Sequence, residues 1–478
     1  MRRSRKVKIL ATLGPATSKP EVMAELASAG ADLFRINMSH TSPDGMRELI
    51  GLIRQVEADL KRPIGIVVDL QGPKFRLGTF KNGSVKLEIG QTFTLDDNPE
   101  PGDETRVHLP HPEILHALAP GDRLFLDDGR VHLVAENCRP SKVVTLVESG
   151  TRLSDRKGVS VPDTTLDLSS MTEKDRADLD AAIEAGADWI AMSFIQRPDD
   201  LEAVRDHTHA KIKIIAKVEK PQAVTHLNEI TKAADALMVA RGDLGVEVPL
   251  EKVPGIQKQI TRAARRAGKP VVVATQMLES MIKAPVPTRA EVSDVATAVF
   301  EGADAIMLSA ESAVGEYPVE AVATMDRIAM EVERDINYQN IINAQRAEPQ
   351  ATGADAIAAA VRQIAETLHL AAICCYTGSG TTGLRVSRER PQTPIIAFST
   401  VVGTARQLSL GWGLHCVFGD EAPDFDGMVD RACEVAVREG FAYPGDRIII
   451  TAGIPMGRPG TTNMLRIAVV NETGTGAV

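Results

Sequence analysis

Runs of apolar residues at 212–216 and 236–239 read as buried parallel strands, and each ends in charge. Lys217 and Glu219 follow the first run, Arg241 and Asp243 the second. The carboxyl ends of parallel strands are where such folds place their sites. Two carboxylates beside a lysine and a glycine-backed turn suit a divalent cation with an anionic oxygen held next to it; taken alone, the same residues also suit an ordinary ion-pair network. Other apolar runs end the same way: one in Arg35, Asn37, Ser39 and His40, one in Asp69 followed by Lys74 and Arg76, and others in Ser193, in Thr275 with Gln276, and in Ser309 with Glu311. Converging guanidinium and ammonium groups imply a polyanionic substrate, most simply a phosphate. Glu219 and Asp243 supply the hard oxygen donors that Mg²⁺ takes, with positions left for water and substrate. No HExxH, Cys/His cluster or GxxxxGK[ST] competes for these roles.

The elements that must hold these residues can be counted. A helix, then Gly-Ala-Asp or a near variant, then an apolar run recurs at 29–32, 185–188, 232–235 and 301–304, each at the place where a helix should stop and a strand start. With the intervening runs there are strand candidates at 9–13, 33–38, 64–70, 189–194, 212–218, 236–240, 271–275 and 305–308, the first of the two charged runs being followed by a crossover helix at roughly 221–234. Eight βα units predict a (β/α)₈ barrel, typically about 250 residues; a doubly wound open sheet is the alternative. The third connection is too long for a loop. From 74 to 159 the pattern turns to short alternating runs punctuated by Asn-Gly, Pro-Gly and Asp-Gly, which predicts an inserted all-β domain. At the strand-end face it would act as a lid. Barrel helices should end near Arg334, residues 337–353 read as a polar linker, and a C-terminal α/β domain follows.

Composition narrows the class. The chain has 478 residues, 44% hydrophobic and only 4% aromatic, with a formal net charge of −10. With no long basic block, nucleic-acid binding is not expected. Five cysteines (Cys138, Cys374, Cys375, Cys416 and Cys433) show no CxxC spacing, which suits a reducing, cytoplasmic setting and argues against disulfides or structural zinc. The adjacent Cys374 and Cys375 lie in an apolar run and are expected to pack rather than sense redox state. The basic start, MRRSRKVKILATLGP, lacks the apolar stretch of a signal peptide and reads as a solvated arm. No apolar run reaches the roughly 18 residues of a membrane span.

RINMSH at 35–40, DLQGPKFR at 69–76, KGVSVP at 157–162, KVEKP at 217–221, MVARGDLGVEVP at 238–249 and ATQMLESM at 274–281 closely resemble, in order and spacing, the motifs of the pyruvate kinase family. The resemblance runs from about residue 6 to residue 469. It implies a TIM barrel made of 1–73 and 160–345, a small β-barrel lid at 74–159, a C-terminal α/β effector and oligomerisation domain at 346–478, and assembly as a homotetramer. It also implies phosphoryl transfer from phosphoenolpyruvate to ADP, giving pyruvate and ATP, the last step of glycolysis. On matched positions, Glu219 and Asp243 look like ligands of Mg²⁺ (or Mn²⁺) bridging to enolpyruvate, and Lys217 like the lysine that stabilises the transition state. Gly242, Asp243 and Thr275 look like substrate contacts, and Arg35 like the arginine gripping the phosphoryl group. Arg76 and Lys157, at the lid's hinges, resemble nucleotide-phosphate contacts, and His40 is a further nucleotide candidate or simply a hydrogen-bonded strand-end histidine.

One departure is informative. Relatives that need a monovalent cation hold it at the positions of Asn37, Ser39, Asp69 and Leu70, with an acidic residue where this chain has Lys74. A fixed ammonium can supply the charge a bound ion otherwise provides, so K⁺ is not expected to be required; the alternative is that Lys74 points into solvent and K⁺ still binds at the three remaining ligands. In the C-terminal domain, TGSGTTG at 377–383 follows an apolar run and opens a helix. Thr377, Ser379, Gly380, Thr381 and Thr382 could therefore form a phosphate nest, matching the family's loop for a sugar phosphate. An effector of sugar-phosphate or AMP type is expected there, together with a second loop at 453–463; two turns that bind nothing are the alternative. A metal-dependent barrel that cleaves carbon–carbon bonds would share the carboxylates but not explain Arg35, Arg76, Lys157 or the lid. A catalytically silent effector-binding scaffold would be expected to lose Lys217 or a metal carboxylate.

Overall fold

The computed structural model describes residues 2–166, 169–454, 462–472 and 475–477. Eight parallel strands, Lys8–Thr12, Leu33–Asn37, Gly65–Asp69, Trp189–Met192, Lys213–Val218, Ala236–Ala240, Val271–Ala274 and Ala305–Leu308, close into a barrel, the first pairing with the last. All eight strand candidates are present, within a few residues at their ends. Residues of alternate direction separate two cores. Leu10, Val67, Ile215, Met238, Val272 and Met307 fill the barrel interior, and Leu410 of the C-terminal region joins them from below. Ile9, Ile36, Val68, Ile214 and Val273 pack outward against the helices.

The recurrent aspartate has a structural reason. Asp32, Asp188, Asp235 and Asp304 each accept a backbone N–H from the neighbouring strand, those of Ile9, Ile66, Ile214 and Val271, at 2.9–3.0 Å. Each of these carboxylates is charge-paired: Asp32 with Arg5, Asp188 with Arg54, Asp235 with Arg205, and Asp304 with Arg390. These pairs pin the strand starts and set the register that fixes where the opposite ends point. The glycine of the repeat is needed at Gly186, whose φ of 84° ends its helix in the left-handed conformation.

The insertion forms a six-stranded sheet, running Val159–Ser160, Arg123–Leu126, Val131–Arg139, Lys142–Ser149, Thr92–Asp96 and Arg106–His108, beside a two-stranded pair. It has its own apolar core around Phe93, Leu124 and Leu133. It also contains one short helix, Pro112–Ala117, which the alternating pattern concealed. The turn at Gly129 reaches the barrel, where a Cβ on that glycine would lie 3.9 Å from Val246. The insertion therefore sits against the strand-end face.

Three expectations need correction. The basic N-terminus is not a solvated arm: Arg5 is buried against Asp32 and Asp326, and Lys6 lies over the Trp412 ring. The segment read as a linker contains the helix Ile336–Ala344, whose Tyr338 and Ile342 enter the barrel core. The crossover after Lys213–Val218 is two short helices, Pro221–Thr225 and Leu227–Ala233, meeting at His226. The C-terminal sheet has strands Leu414–Phe418, Ile395–Ser399, Ala372–Tyr376 and Arg447–Gly453 in parallel, followed by antiparallel Thr462–Val470 and Gly476–Ala477. Among the described residues no helix is long and apolar enough to cross a membrane.

Candidate active site

Lys217 is the penultimate residue of the fifth barrel strand, and its side chain is buried within the mouth of the barrel. Its Nζ donates to Ser193 Oγ at 2.6 Å and lies 3.3 Å from Asp69 and 3.4 Å from Glu219. Ser193 Oγ in turn donates to the Leu70 carbonyl at 2.9 Å. Arg35 Nε donates to the other oxygen of Asp69 at 2.7 Å and its Nη1 to Thr12 Oγ1 at 3.0 Å. Asp69 thus lies between two cations and orients both. Burial pushes its carboxyl up, but Lys217 and Arg35 outweigh burial and hold it below the usual range. Burial likewise opposes the Lys217 ammonium, yet Asp69, Glu219 and Asp243 together raise it above the ordinary lysine value.

Glu219 responds differently from its ion-pair partner. Burial pushes it up to about 7, against the pull of Lys217, with Asp243 and Asp69 adding repulsion. The asymmetry follows from sharing: Lys217 has several carboxylates, whereas Glu219 has one cation. The Phe194 N–H donates to Glu219 Oε1 at 2.6 Å, while the buried Oε2 has no hydrogen-bond partner. That oxygen has only the Lys217 ammonium, 3.4 Å away, and keeps lone pairs to offer a metal cation. Asp243, exposed on the helix Arg241–Glu247 that begins directly after the sixth strand, is electrostatically coupled to it. Among the described residues no three His, Cys, Asp or Glu side chains converge on one point. Glu219 and Asp243 are hard oxygen donors of the kind that an ion such as Mg²⁺ takes, one or two carboxylates with water and substrate oxygens completing the shell.

Thr275 and Gln276 follow the seventh strand with φ of 66° and 54°, and Phe194 follows the fourth with φ of 58°. Each costs on the order of 1–3 kcal/mol and persists only where the surroundings enforce it. The enforcing group at Thr275 is Arg241. Its guanidinium donates to the carbonyls of Ala274 and Thr275 at 3.2 Å and is anchored on Asp294 at 2.7 Å. Thr275 Oγ1 accepts the Gly242 N–H at 2.8 Å, which joins the ends of strands six and seven. Arg241 therefore positions Thr275 instead of facing a substrate. Arg241→Ala is expected to lower kcat/KM by about 10²-fold with Mg²⁺ affinity retained, read by steady-state kinetics and calorimetry.

Not every strand-end residue joins the cluster. Both oxygens of Glu311 accept backbone N–H groups, from Leu278 at 3.1 Å and Ser309 at 2.7 Å, so it shapes loops. Lys74 Nζ donates to Ser39 Oγ at 3.0 Å, next to Asn37, whose Oδ1 accepts the Ser39 N–H at 3.0 Å. Burial lowers the Lys74 pKa, and Asp243 opposes that most strongly. Leu70 is buried. Arg76 and Lys157 lie on the two crossings into the insertion, where Arg76 bridges Gly158 and donates to the Arg156 carbonyl at 3.0 Å. Lys157 pairs with Asp127 at 2.8 Å. His40 is exposed. Sequence reasoning missed Thr12, which braces Arg35, and the buried pair of Lys220 with Glu247 at 2.6 Å. That pair ties the loop after strand five to the helix bearing Asp243. Two lysines within KVEK gave no sign of which faces inward.

Away from the barrel mouth, a cavity of about 440 Å³ opens in the C-terminal domain. Thr377, Ser379, Thr381 and Thr382 line it, as does Arg431. Gly380, φ 86°, turns the chain into the helix Thr381–Arg388. Ser379 Oγ and Thr381 Oγ1 are 3.0 Å apart, and Thr382 Oγ1 is hydrogen-bonded to Thr462 Oγ1 at 2.7 Å. Of the second loop at 453–463, residues 455–461 lie outside the described residues.

A closed parallel barrel with a buried lysine, an unsatisfied carboxylate and an arginine at its strand ends, under an inserted β domain, defines a (β/α)₈-barrel enzyme. Residues 4–322 match the family model "Pyruvate kinase, barrel domain", and 355–468 match "Pyruvate kinase, alpha/beta domain". The chain is 58% identical to a pyruvate kinase of Methylorubrum extorquens, covering 99% of both chains. It is 44% identical to one of Agrobacterium vitis over 98% of this chain and 99% of that one. A crystal structure of a pyruvate kinase from Cryptosporidium parvum superposes with a TM-score of 0.93 at 30% identity, covering 97% of this chain and 96% of that one. The chain belongs to the pyruvate kinase family.

Proposed function

We propose that the chain transfers the phosphoryl group of phosphoenolpyruvate to ADP through the cluster centred on Lys217. The observation that carries this reading is the buried ammonium held 2.6 Å from Ser193 and 3.3 Å from Asp69, with Arg35 on the same aspartate. Two fixed cations at one point suit a phosphoryl group whose charge is spread over its equatorial oxygens. Lys217 offsets charge on that group and on the enolate left behind. Arg35, braced by Asp69 and Thr12, grips the phosphoryl oxygens. Glu219 and Asp243 would hold Mg²⁺ (or Mn²⁺), which would supply positive charge to offset an enolate. Gly242 and Thr275 contact the substrate, and Arg76, Lys157 and His40 receive the nucleotide phosphates when the insertion closes as a lid, which requires Lys157 to leave Asp127. The barrel is taken as 1–73 with 160–345, the lid as 74–159 and the effector and oligomerisation domain as 346–478, assembled as a cytoplasmic homotetramer.

ADP-dependent release of pyruvate from phosphoenolpyruvate tests the reading. Pyruvate released from oxaloacetate, with none from phosphoenolpyruvate, would point to a carbon–carbon lyase, and no release from either to a silent scaffold. The C-terminal cavity supports an effector that combines a phosphate with hydroxyl groups. Ribose 5-phosphate, glucose 6-phosphate, fructose 1,6-bisphosphate or AMP is expected to shift the half-saturation for phosphoenolpyruvate. Absence of a shift with all four removes the effector role. Lys74 supports turnover without K⁺.

A further inference from the structure

The buried pair of Lys220 and Glu247 takes no part in the chemistry above, yet it joins the two chain segments that carry the carboxylates assigned to the metal. Lys220 directly follows Glu219 and precedes the helix Pro221–Thr225. Glu247 is the last residue of the helix Arg241–Glu247, whose first turn carries Asp243. Lys220 Nζ donates to Glu247 Oε1 at 2.6 Å, and both side chains are buried. Glu247 Oε2 is buried without a hydrogen-bond partner, so this carboxylate depends on Lys220 for its compensation. The ammonium also reaches the residue after strand four. It lies 5.4 Å from the centroid of the Phe194 ring, within cation–π range, and the Phe194 N–H is the group that orients Glu219 Oε1 at 2.6 Å. That ring packs so closely on Gly72 that a Cβ there would lie 2.7 Å from Phe194 Cδ2.

The helix bearing Asp243 is therefore seated at both ends. In its first turn the Gly242 N–H donates to Thr275 Oγ1 at 2.8 Å, and in its last turn Glu247 receives Lys220. Without the second attachment, a helix of seven residues can pivot about Thr275 and carry Asp243 with it. A buried ion pair adds little net stability over apolar residues of the same volume. A charge-assisted hydrogen bond, however, fixes a distance and a direction, which apolar contact does not. The pair is thus better suited to holding geometry than to holding the fold together.

We infer that Lys220 is a positioning residue: through Glu247 and Phe194 it sets the separation of the Glu219 and Asp243 carboxylates, and with it the affinity of the site for a divalent cation. The inference rests on the assignment of those two carboxylates as metal ligands. The test is Mn²⁺ titration of the full chain without substrates, read from the EPR signal of the free ion, alongside thermal unfolding in metal-free buffer. Lys220→Met should weaken Mn²⁺ binding by about tenfold or more, the scale on which partners outside the ligand set act. Its Tm should fall, because Glu247 is left buried and unpaired. Lys220→Met/Glu247→Gln removes that stranded charge, so its Tm should return toward the wild-type value while Mn²⁺ affinity stays low. If Lys220→Met does not fold, the double variant alone gives the reading. Affinity that recovers together with Tm in the double variant would make the pair merely structural and overturn the inference. Unchanged or tighter Mn²⁺ binding in Lys220→Met would overturn it too. Glu219→Gln tells the two levels apart. If it binds Mn²⁺ as the wild type does, the ligand assignment fails and the inference with it; if it loses binding while Lys220→Met keeps it, the inference alone fails.

Discussion

Lys217→Met is expected to lower turnover by roughly 10³-fold or more, the scale at which single charge-stabilising groups act in phosphoryl and acyl transfer, while Mg²⁺ binding persists. The two effects separate because they depend on different terms. Turnover loses a buried ammonium that reaches both Asp69 and Glu219. Metal binding loses a repelling charge beside Glu219, so affinity should hold or rise. Stability should fall, because removing one partner of a buried pair leaves the other uncompensated, typically at about 3–5 kcal/mol. Two features soften that loss: Asp69 keeps Arg35, and Glu219, already pushed up to about 7, can take a proton. The loss should accordingly be larger at pH 8 than at pH 6, where protonated Glu219 needs no partner. The measurements are a coupled pyruvate assay, calorimetric Mg²⁺ titration and thermal unfolding at the two pH values. Turnover within tenfold of wild type, or metal binding abolished together with activity, would exclude the proposed role.

The site was legible where sequence position alone decides location. Parallel strands recur at regular intervals, and a polar residue just after an apolar run must lie at the strand-end face, so Arg35, Asp69, Lys217 and Asp243 could be grouped before any coordinates. What each side chain touches was not legible. Arg241 and Glu311 carry the same charges as Arg35 and Glu219, but they hold backbone groups. Which of two like charges faces the centre depends on local turns such as the positive φ at Phe194 and Thr275, and neither residue type announces one. The Gly-Ala-Asp repeat was legible as punctuation, but not as the set of aspartates that accept strand N–H groups at the barrel floor. The basic N-terminus misled for a related reason. Charge density predicts solvation only when no buried carboxylate is available, and Asp32 is brought to Arg5 by the pairing of the first two barrel strands. The helix Ile336–Ala344 was hidden because only Tyr338 and Ile342 of its nine residues are buried, too few for a periodic signal.

If Lys74 stands in for K⁺ as proposed, Lys74→Glu is expected to create a requirement for K⁺. In the wild type Lys74 Nζ lies on Ser39 Oγ at 3.0 Å, and the charges it feels are those of the site, Asp243 foremost, then Lys217, Arg76 and Asp69. Its ammonium therefore adds to the positive field that the transferring phosphoryl group meets. A glutamate at 74 reverses that charge and adds a carboxylate to the oxygens of Asn37, Ser39 and Asp69, which together suit a monovalent cation. In tetramethylammonium buffer the variant should fall by about 10²-fold or more, as for loss of a fixed charge-stabilising group, and K⁺ should restore most of that. Wild-type turnover in the same buffer should change little on adding KCl. Lys74→Met separates charge from ligation: it removes the ammonium without supplying a carboxylate, so it should be slow and only weakly rescued by K⁺. If instead the wild type rises many-fold with KCl, the ammonium does not stand in for the ion. If Lys74→Glu remains as active without K⁺ as the wild type, the charge at position 74 does not reach the reaction.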